Sequence, residues 1–124
     1  MRAIVTGANG FAGSHLIEHL LSIQTEVHGT IRSFRSDLKN LAHIDAKAFT
    51  LHACDITDAS SVDALIERLK PTHIFHLAAQ SYVPASWSAP HATMMTNALG
   101  TLNLLEAMHR HAPTARMHAA GTSE

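Results

Sequence analysis

The 124 residues amount to one domain's worth of chain, long enough to bury a core. With 46% hydrophobic and 15% charged residues the composition excludes a disordered tail, and a formal net charge of −1 without a dense Lys/Arg run excludes an electrostatic footprint for nucleic acid. Cys54 is the single cysteine, which rules out an internal disulfide and fits a reducing compartment. No apolar run is long enough to span a membrane, and the chain opens on a strand-like segment rather than a secretory leader, so a cytoplasmic protein is expected.

In chain order, residues 2–6 read as a short buried strand around Ala3, Ile4 and Val5, followed by a glycine turn. A helix is expected over 12–22, with Leu16, Ile17, Leu20 and Leu21 at helical spacing. Residues 26–31 form a second strand, and 48–53, with alternating Phe49 and Leu51, a third. Asp58 caps a helix reaching Leu69, whose Val62, Leu65, Ile66 and Leu69 line one face, and Pro71 stops it. A fourth strand at 74–77 enters a loop over 78–84, a long helix runs over 89–109, and 116–119 is a fifth strand. The composition is odd in its eleven histidines, expected on exposed faces of amphipathic helices. His15 and His19 are one helical turn apart, but no Glu, Asp or Cys completes a zinc motif around them, so no metal is expected.

This alternation demands an α/β fold, a doubly wound parallel sheet with right-handed crossovers and strand order 3-2-1-4-5. The switch point then lies between the first and fourth strands. The glycine turn leaving one and Ala78-Ala79-Gln80-Ser81 leaving the other open on the same crevice. In Thr6-Gly7-Ala8-Asn9-Gly10-Phe11-Ala12-Gly13 the glycines recur at three-residue intervals between strand and helix. A tight turn needs a residue without Cβ, a pyrophosphate needs bare backbone, and helix on strand needs a third small residue. The helix N-terminus offers free N–H groups to the phosphates, which assigns Gly7, Asn9, Gly10, Phe11, Ala12 and Gly13 to a dinucleotide.

The turn, with Cys54-Asp55-Ile56, His76-Leu77-Ala78-Ala79-Gln80-Ser81, Asn97-Ala98-Leu99-Gly100-Thr101 and Leu104-Leu105-Glu106-Ala107, resembles the extended short-chain dehydrogenases/reductases over the whole chain. The resemblance implies a Rossmann-type domain over residues 1–124, incomplete at its C-terminus, with the last strands and the substrate lobe absent. It implies Asp55 and Ile56 at the adenine ring and Leu77, Ala78, Ala79 and Ser81 beneath the nicotinamide-side ribose. Ser81 and Ser86 would face substrate, and the full-length protein would form a homo-oligomer through the long helix over 89–109. Each residue also has a plain structural role open to it: Asp55 as a turn cap, Asn97 as a backbone partner, Ser81 as a loop serine.

NAD-binding relatives place an acidic residue about 20 positions beyond the turn, on the ribose 2′-hydroxyl. Here the second strand ends Thr30-Ile31-Arg32-Ser33-Phe34-Arg35 without a carboxylate. The planar fork of Arg32, assisted by Ser33 and Arg35, suits a 2′-phosphate, so NADP is expected over NAD.

The chain finishes Gly121-Thr122-Ser123-Glu124. Extended family members carry a catalytic Ser or Thr there and a Tyr-x-x-x-Lys pair beyond it. The nucleotide-sugar dehydratases of the family read Thr-x-Glu, where epimerases usually lack the Glu, and Ser123 resembles those that act on GDP-mannose. The resemblance implies oxidation at sugar C4 with Thr122 orienting the hydroxyl, removal of the C5 proton by Glu124 with loss of the C6 hydroxyl, and reduction at C6. A reductase of the 4-keto product, a 4-epimerase and a non-catalytic NADP-binding module are the alternatives. Tyr82 is the only tyrosine and Ser86 follows it four positions on, so these residues alone are expected not to complete the reaction.

Overall fold

The structure, a computed structural model, describes residues 1–122. Strands β1 (Arg2–Thr6), β2 (Glu26–Ile31), β3 (Thr50–Ala53), β4 (His73–His76) and β5 (Arg116–Ala119) form one parallel sheet in the expected order β3-β2-β1-β4-β5. Side chains alternate along β1, and both of its faces are covered. Ala3 and Val5 pack with Ile17 and Leu20 of α1 (Phe11–Ser22) and with Val27 and Ile31 of β2. Ile4 packs on the other side, with Val62, Leu65, Ile66 and Leu69 of α2 (Ala59–Leu69) and with Ile74 and Leu104. All three β1 residues are completely shielded, which is why the strand reads as an uninterrupted apolar run.

Local chemistry sets the ends of α2. The Asp58 carboxylate accepts the N–H groups of Ser60 and Ser61 at 3.1 and 3.3 Å, and the Ser61 hydroxyl at 2.8 Å. Lys70 closes the helix in a left-handed conformation, φ 46°, ahead of Pro71.

Four expectations need correction. The third strand begins at Thr50, because Ala48 is held in a turn by the carbonyl of Asp45. The fourth ends at His76, because the Leu77 N–H leaves the ladder for the Thr6 hydroxyl. The long helix is divided: α3 (Val83–Ser88) occupies part of the expected loop, then come α4 (Pro90–Met94), a π-helical turn (Met95–Leu99) and α5 (Gly100–His111). Pro90 lacks an N–H and biases Ala89 away from helical angles, so the break falls there. Finally, His28 and His76 are buried on β2 and β4 rather than exposed on helices. Hydrogen bonding makes the burial tolerable: His28 Nε2 lies 2.9 Å from Glu26 and its Nδ1 lies 2.9 Å from His52 Nε2. Among the described residues no helix is long and apolar enough to cross a membrane.

Burial on α5 is one-sided and its energetics are testable. Leu104 is 2% exposed and Leu102 is 48% exposed. Leu104→Ala is expected to cost about 2–5 kcal/mol in urea unfolding, and Leu102→Ala less than about 0.5 kcal/mol.

Candidate functional site

The glycine turn is a backbone-on-backbone contact. Gly7 adopts φ 71°, and a Cβ there would stand 3.0 Å from the Ala78 nitrogen, so the loop leaving β4 passes directly over the turn. A Cβ on Gly13 would collide with the Gly7 carbonyl oxygen. The Gly10 N–H donates to that oxygen at 3.0 Å, and the Ser14 N–H donates to the Gly10 carbonyl. Among the described residues no side chain caps α1, and no acid stands in its first turn, whereas α2 is capped by Asp58. The first amides of α1, including those of Phe11 and Ala12, are therefore left for an external anion. A cradle free of Cβ atoms below an open helix N-terminus fits a pyrophosphate. The Phe11 ring is exposed and meets His15 edge-on at 4.7 Å.

Beside the turn lies a cleft of about 320 Å³. Of the sequence-predicted residues, Gly7, Asn9, Arg32, Asp55, Ile56, Ala78 and Ala79 line it. Asn9 is engaged on both sides: its side-chain amide donates to the Asp37 carbonyl, and its own carbonyl accepts from Asn40, each at 3.0 Å. Its side chain thus ties the segment after β2 to the glycine turn. Ser33 acts within that segment, its hydroxyl accepting the Arg35 N–H at 3.2 Å, and neither Ser33 nor Arg35 lines the cleft.

Arg32 Nε lies 3.7 Å from Asp55 Oδ2 at the rim, with 81% of the Arg32 side chain exposed. The other Asp55 oxygen accepts the Thr57 N–H and hydroxyl at 3.0 and 2.8 Å. Burial works to raise the Asp55 carboxyl, but the Thr57 bonds and Arg32 outweigh it and hold it below the usual range. Cys54 lines the same cleft, and burial, with Asp58 and Asp55 nearby, pushes its thiol up to about 11. That thiol stays protonated and unreactive at neutral pH.

A second cleft, about 810 Å³, opens on the other side of the loop after β4. Leu77, Ser81, Ser86 and Thr122 line it, while Ala78, Ala79 and Gln80 line both clefts and form the partition. Ser86 donates its hydroxyl to the Val83 carbonyl at 2.6 Å. Asn97, in the π-helical turn, pins the partition: it accepts the Gln80 N–H at 2.8 Å and donates to the Gln80 carbonyl at 2.9 Å. The Gln80 side chain reaches Thr93 and the Tyr82 N–H. Thr93, Thr96 and Ala92 were not singled out in the sequence, because the broken helix that brings them to the clefts has no periodicity signal of its own. Ser123 and Glu124 lie outside the described residues.

Away from the clefts, Asp63, Glu67 and His111 bring potential metal-ligand atoms within 4.8 Å of one another. His111 Nε2 at 3.0 Å and Arg110 at 3.3 Å already occupy Asp63.

A doubly wound parallel sheet with a glycine cradle at its switch point defines a Rossmann-type domain. The family model described as GDP-mannose 4,6 dehydratase matches residues 4–124, and the chain belongs to that family. It is 42% identical to GDP-mannose 4,6 dehydratase 2 of Caenorhabditis elegans, over 98% of this chain and 35% of that protein. It is 37% identical to GDP-mannose 4,6-dehydratase of Vibrio cholerae, over 99% of this chain and 36% of that one. The chain thus spans about a third of the length of the curated relatives it matches. Among solved structures, UDP-glucose 4-epimerase of Thermus thermophilus in complex with NAD superposes with a TM-score of 0.79 at 35% identity, over 90% of this chain and 34% of that one. A UDP-glucose 4-epimerase of Stenotrophomonas maltophila with bound NAD reaches 0.86 at 25% identity, over 99% and 37%.

The two inner glycines are not equivalent. Gly13→Ala is expected to lower Tm by several degrees, because its Cβ would stand far inside contact distance of the Gly7 carbonyl oxygen, a backbone atom. A Cβ on Gly10 meets that carbonyl at 3.3 Å, so Gly10→Ala is expected to leave Tm within a degree or two. Thermal unfolding of both variants checks the order.

Proposed function

We propose that this chain is the cofactor-binding part of an NADP-dependent nucleotide-sugar 4,6-dehydratase acting on GDP-mannose. The observation that carries the reading is a family match running through Thr122-Ser123-Glu124, the hydroxyl and carboxylate that dehydration needs. The 4-epimerases share the fold, and the reading departs from them at Glu124.

The amides at the start of α1 bind the pyrophosphate, with Gly7, Gly10 and Gly13 giving it access. Asp55 and Ile56 meet the adenine end of the first cleft. Arg32 exchanges its exposed contact with Asp55 for the 2′-phosphate, aided by Ser33 and Arg35. The exchange is favourable because an exposed pair contributes little and a guanidinium–phosphate fork binds in two places. Leu77, Ala78, Ala79 and Ser81 support the nicotinamide side, and Ser81 and Ser86 face the sugar. When bound, NADP supplies the hydride acceptor and donor. Thr122 orients the C4 hydroxyl, and Glu124 takes the C5 proton once a C4 ketone has acidified it. Elimination of the C6 hydroxyl as water follows. The full-length protein works as a homo-oligomer.

Titration of the chain with NADPH and NADH is expected to show at least roughly tenfold tighter binding of NADPH, with the preference lost in Arg32→Ala, in line with the strength of one charge-assisted fork. Equal affinities in the unaltered chain would overturn the NADP assignment. With the full-length protein, GDP-mannose is expected to yield a 4-keto-6-deoxy product and Glu124→Gln to abolish it. Turnover of UDP- or TDP-glucose instead would overturn the substrate.

A further inference from the structure

Thr6, His76 and Thr101 form a line of hydrogen bonds from the end of β1 to the start of α5, and the donors and acceptors around it assign its protons. Thr6 Oγ1 accepts the backbone N–H groups of Leu77 at 3.1 Å and Ala78 at 3.0 Å. Both of its lone pairs are then used, so its own proton goes to the remaining neighbour, His76 Nδ1, at 2.8 Å. An imidazole that accepts at Nδ1 carries its proton on Nε2, and Nε2 donates to Thr101 Oγ1 at 2.9 Å. The Thr101 hydroxyl donates to the Asn97 carbonyl at 2.7 Å, and Asn97 grips the main chain of Gln80. Both ends of this line hold the loop that partitions the two clefts: Leu77 and Ala78 through Thr6, Gln80 through Asn97.

We propose that His76 is a positioning residue for the cofactor, locking the partition loop only as the neutral, Nε2-protonated imidazole and releasing it on protonation. The proposal rests on the reading that the clefts hold a dinucleotide. A second ring proton would set an Nδ1–H donor against Thr6 Oγ1, which has no lone pair left. Either a loop amide lets go or the ring turns and leaves Thr101. His76 and Thr101 border the second cleft, but the Thr6 side of the ring is buried, with Thr6 completely shielded and His76 5% exposed, so water does not replace the partner lost there. Among the described residues, the ring bonds to Thr6 of β1 and Thr101 of α5, and Ala119 is its register partner on β5. None of these three is titratable, Tyr82 is the titratable side chain that shares the second cleft with the ring, and burial is what lowers the proton affinity of the ring below the ordinary histidine value of 6.5. The loop is therefore fully held at neutral pH. Cofactor affinity falls as pH drops through the titration of His76, below 6.5.

The test begins without ligand. Imidazole nitrogen NMR of the chain, with the His76 signals identified by their loss in His76→Asn, is expected to show bare Nδ1 and protonated Nε2 at pH 7.5. The tighter-binding of NADPH and NADH is then titrated across pH 5–8. The affinity is expected to fall roughly tenfold through the midpoint seen for His76, the scale of one buried hydrogen bond misplaced. His76→Asn keeps an acceptor for Thr6 but cannot titrate, and it is expected to lose that component of the profile. Thr101→Val, which keeps the ring and the shape of the site, is expected to weaken binding several-fold at neutral pH without altering circular dichroism. A proton on Nδ1, or a profile unchanged in His76→Asn, overturns the proposal; should that variant not fold, unaltered affinity in Thr101→Val does so. Failure of both dinucleotides to bind at any pH overturns both this proposal and the cofactor reading beneath it.

Discussion

Gly13 rests against the carbonyl of Gly7, and the start of α1 is fixed on the end of β1 by that contact. It sets Ala8 so close to β2 that a Cβ on Gly29 would stand 2.8 Å from the Ala8 methyl. It also leaves the helix N-terminus without a side-chain cap, its amides facing the space where the loops from β2 and β4 converge. A helix end with unsatisfied donors is tolerable only if water or an anion reaches it, so the geometry that packs the core also prepares the site.

The two other walls are held by pairing between distant segments. Asn9 and Asn40 join the segment after β2 to the turn, beside the first cleft that Arg32 lines. Thr6 and Asn97 hold the loop after β4 from both ends. Neutral amides and hydroxyls do this work, leaving Arg32 and Asp55 as the charged pair at the rim. Because that pair is exposed, its members can exchange partners at little cost.

Much of the fold was legible because it is local or periodic. The apolar face of α2, its Asp58 cap and the glycine turn are each written within a dozen residues, and the alternation of strands and helices leaves few topologies open. The stretch over 89–109 was legible only as one helix and α3 not at all, since the break at Ala89 and the π-helical turn depend on Pro90 and on what Asn97 and Thr101 bond across the structure. The buried histidines misled for a related reason. A histidine on a strand is polar by composition, and only a partner far along the chain, Thr6 for His76 or His52 for His28, makes its burial acceptable.

Sequence by itself determined the sheet order and the glycine turn of Gly7, Gly10 and Gly13, because these rest on steric rules for single residues and on short-range spacing. Tertiary structure alone decided which residues at the clefts have side chains to spare. Asn9 is committed to Asp37, and Asp55 to Thr57 and Arg32. The proton on His76 is placed by two backbone amides that claim the Thr6 hydroxyl first. Hydrogen-bond capacity is a property of each residue type, but how it is divided among distant neighbours exists only once the chain has folded.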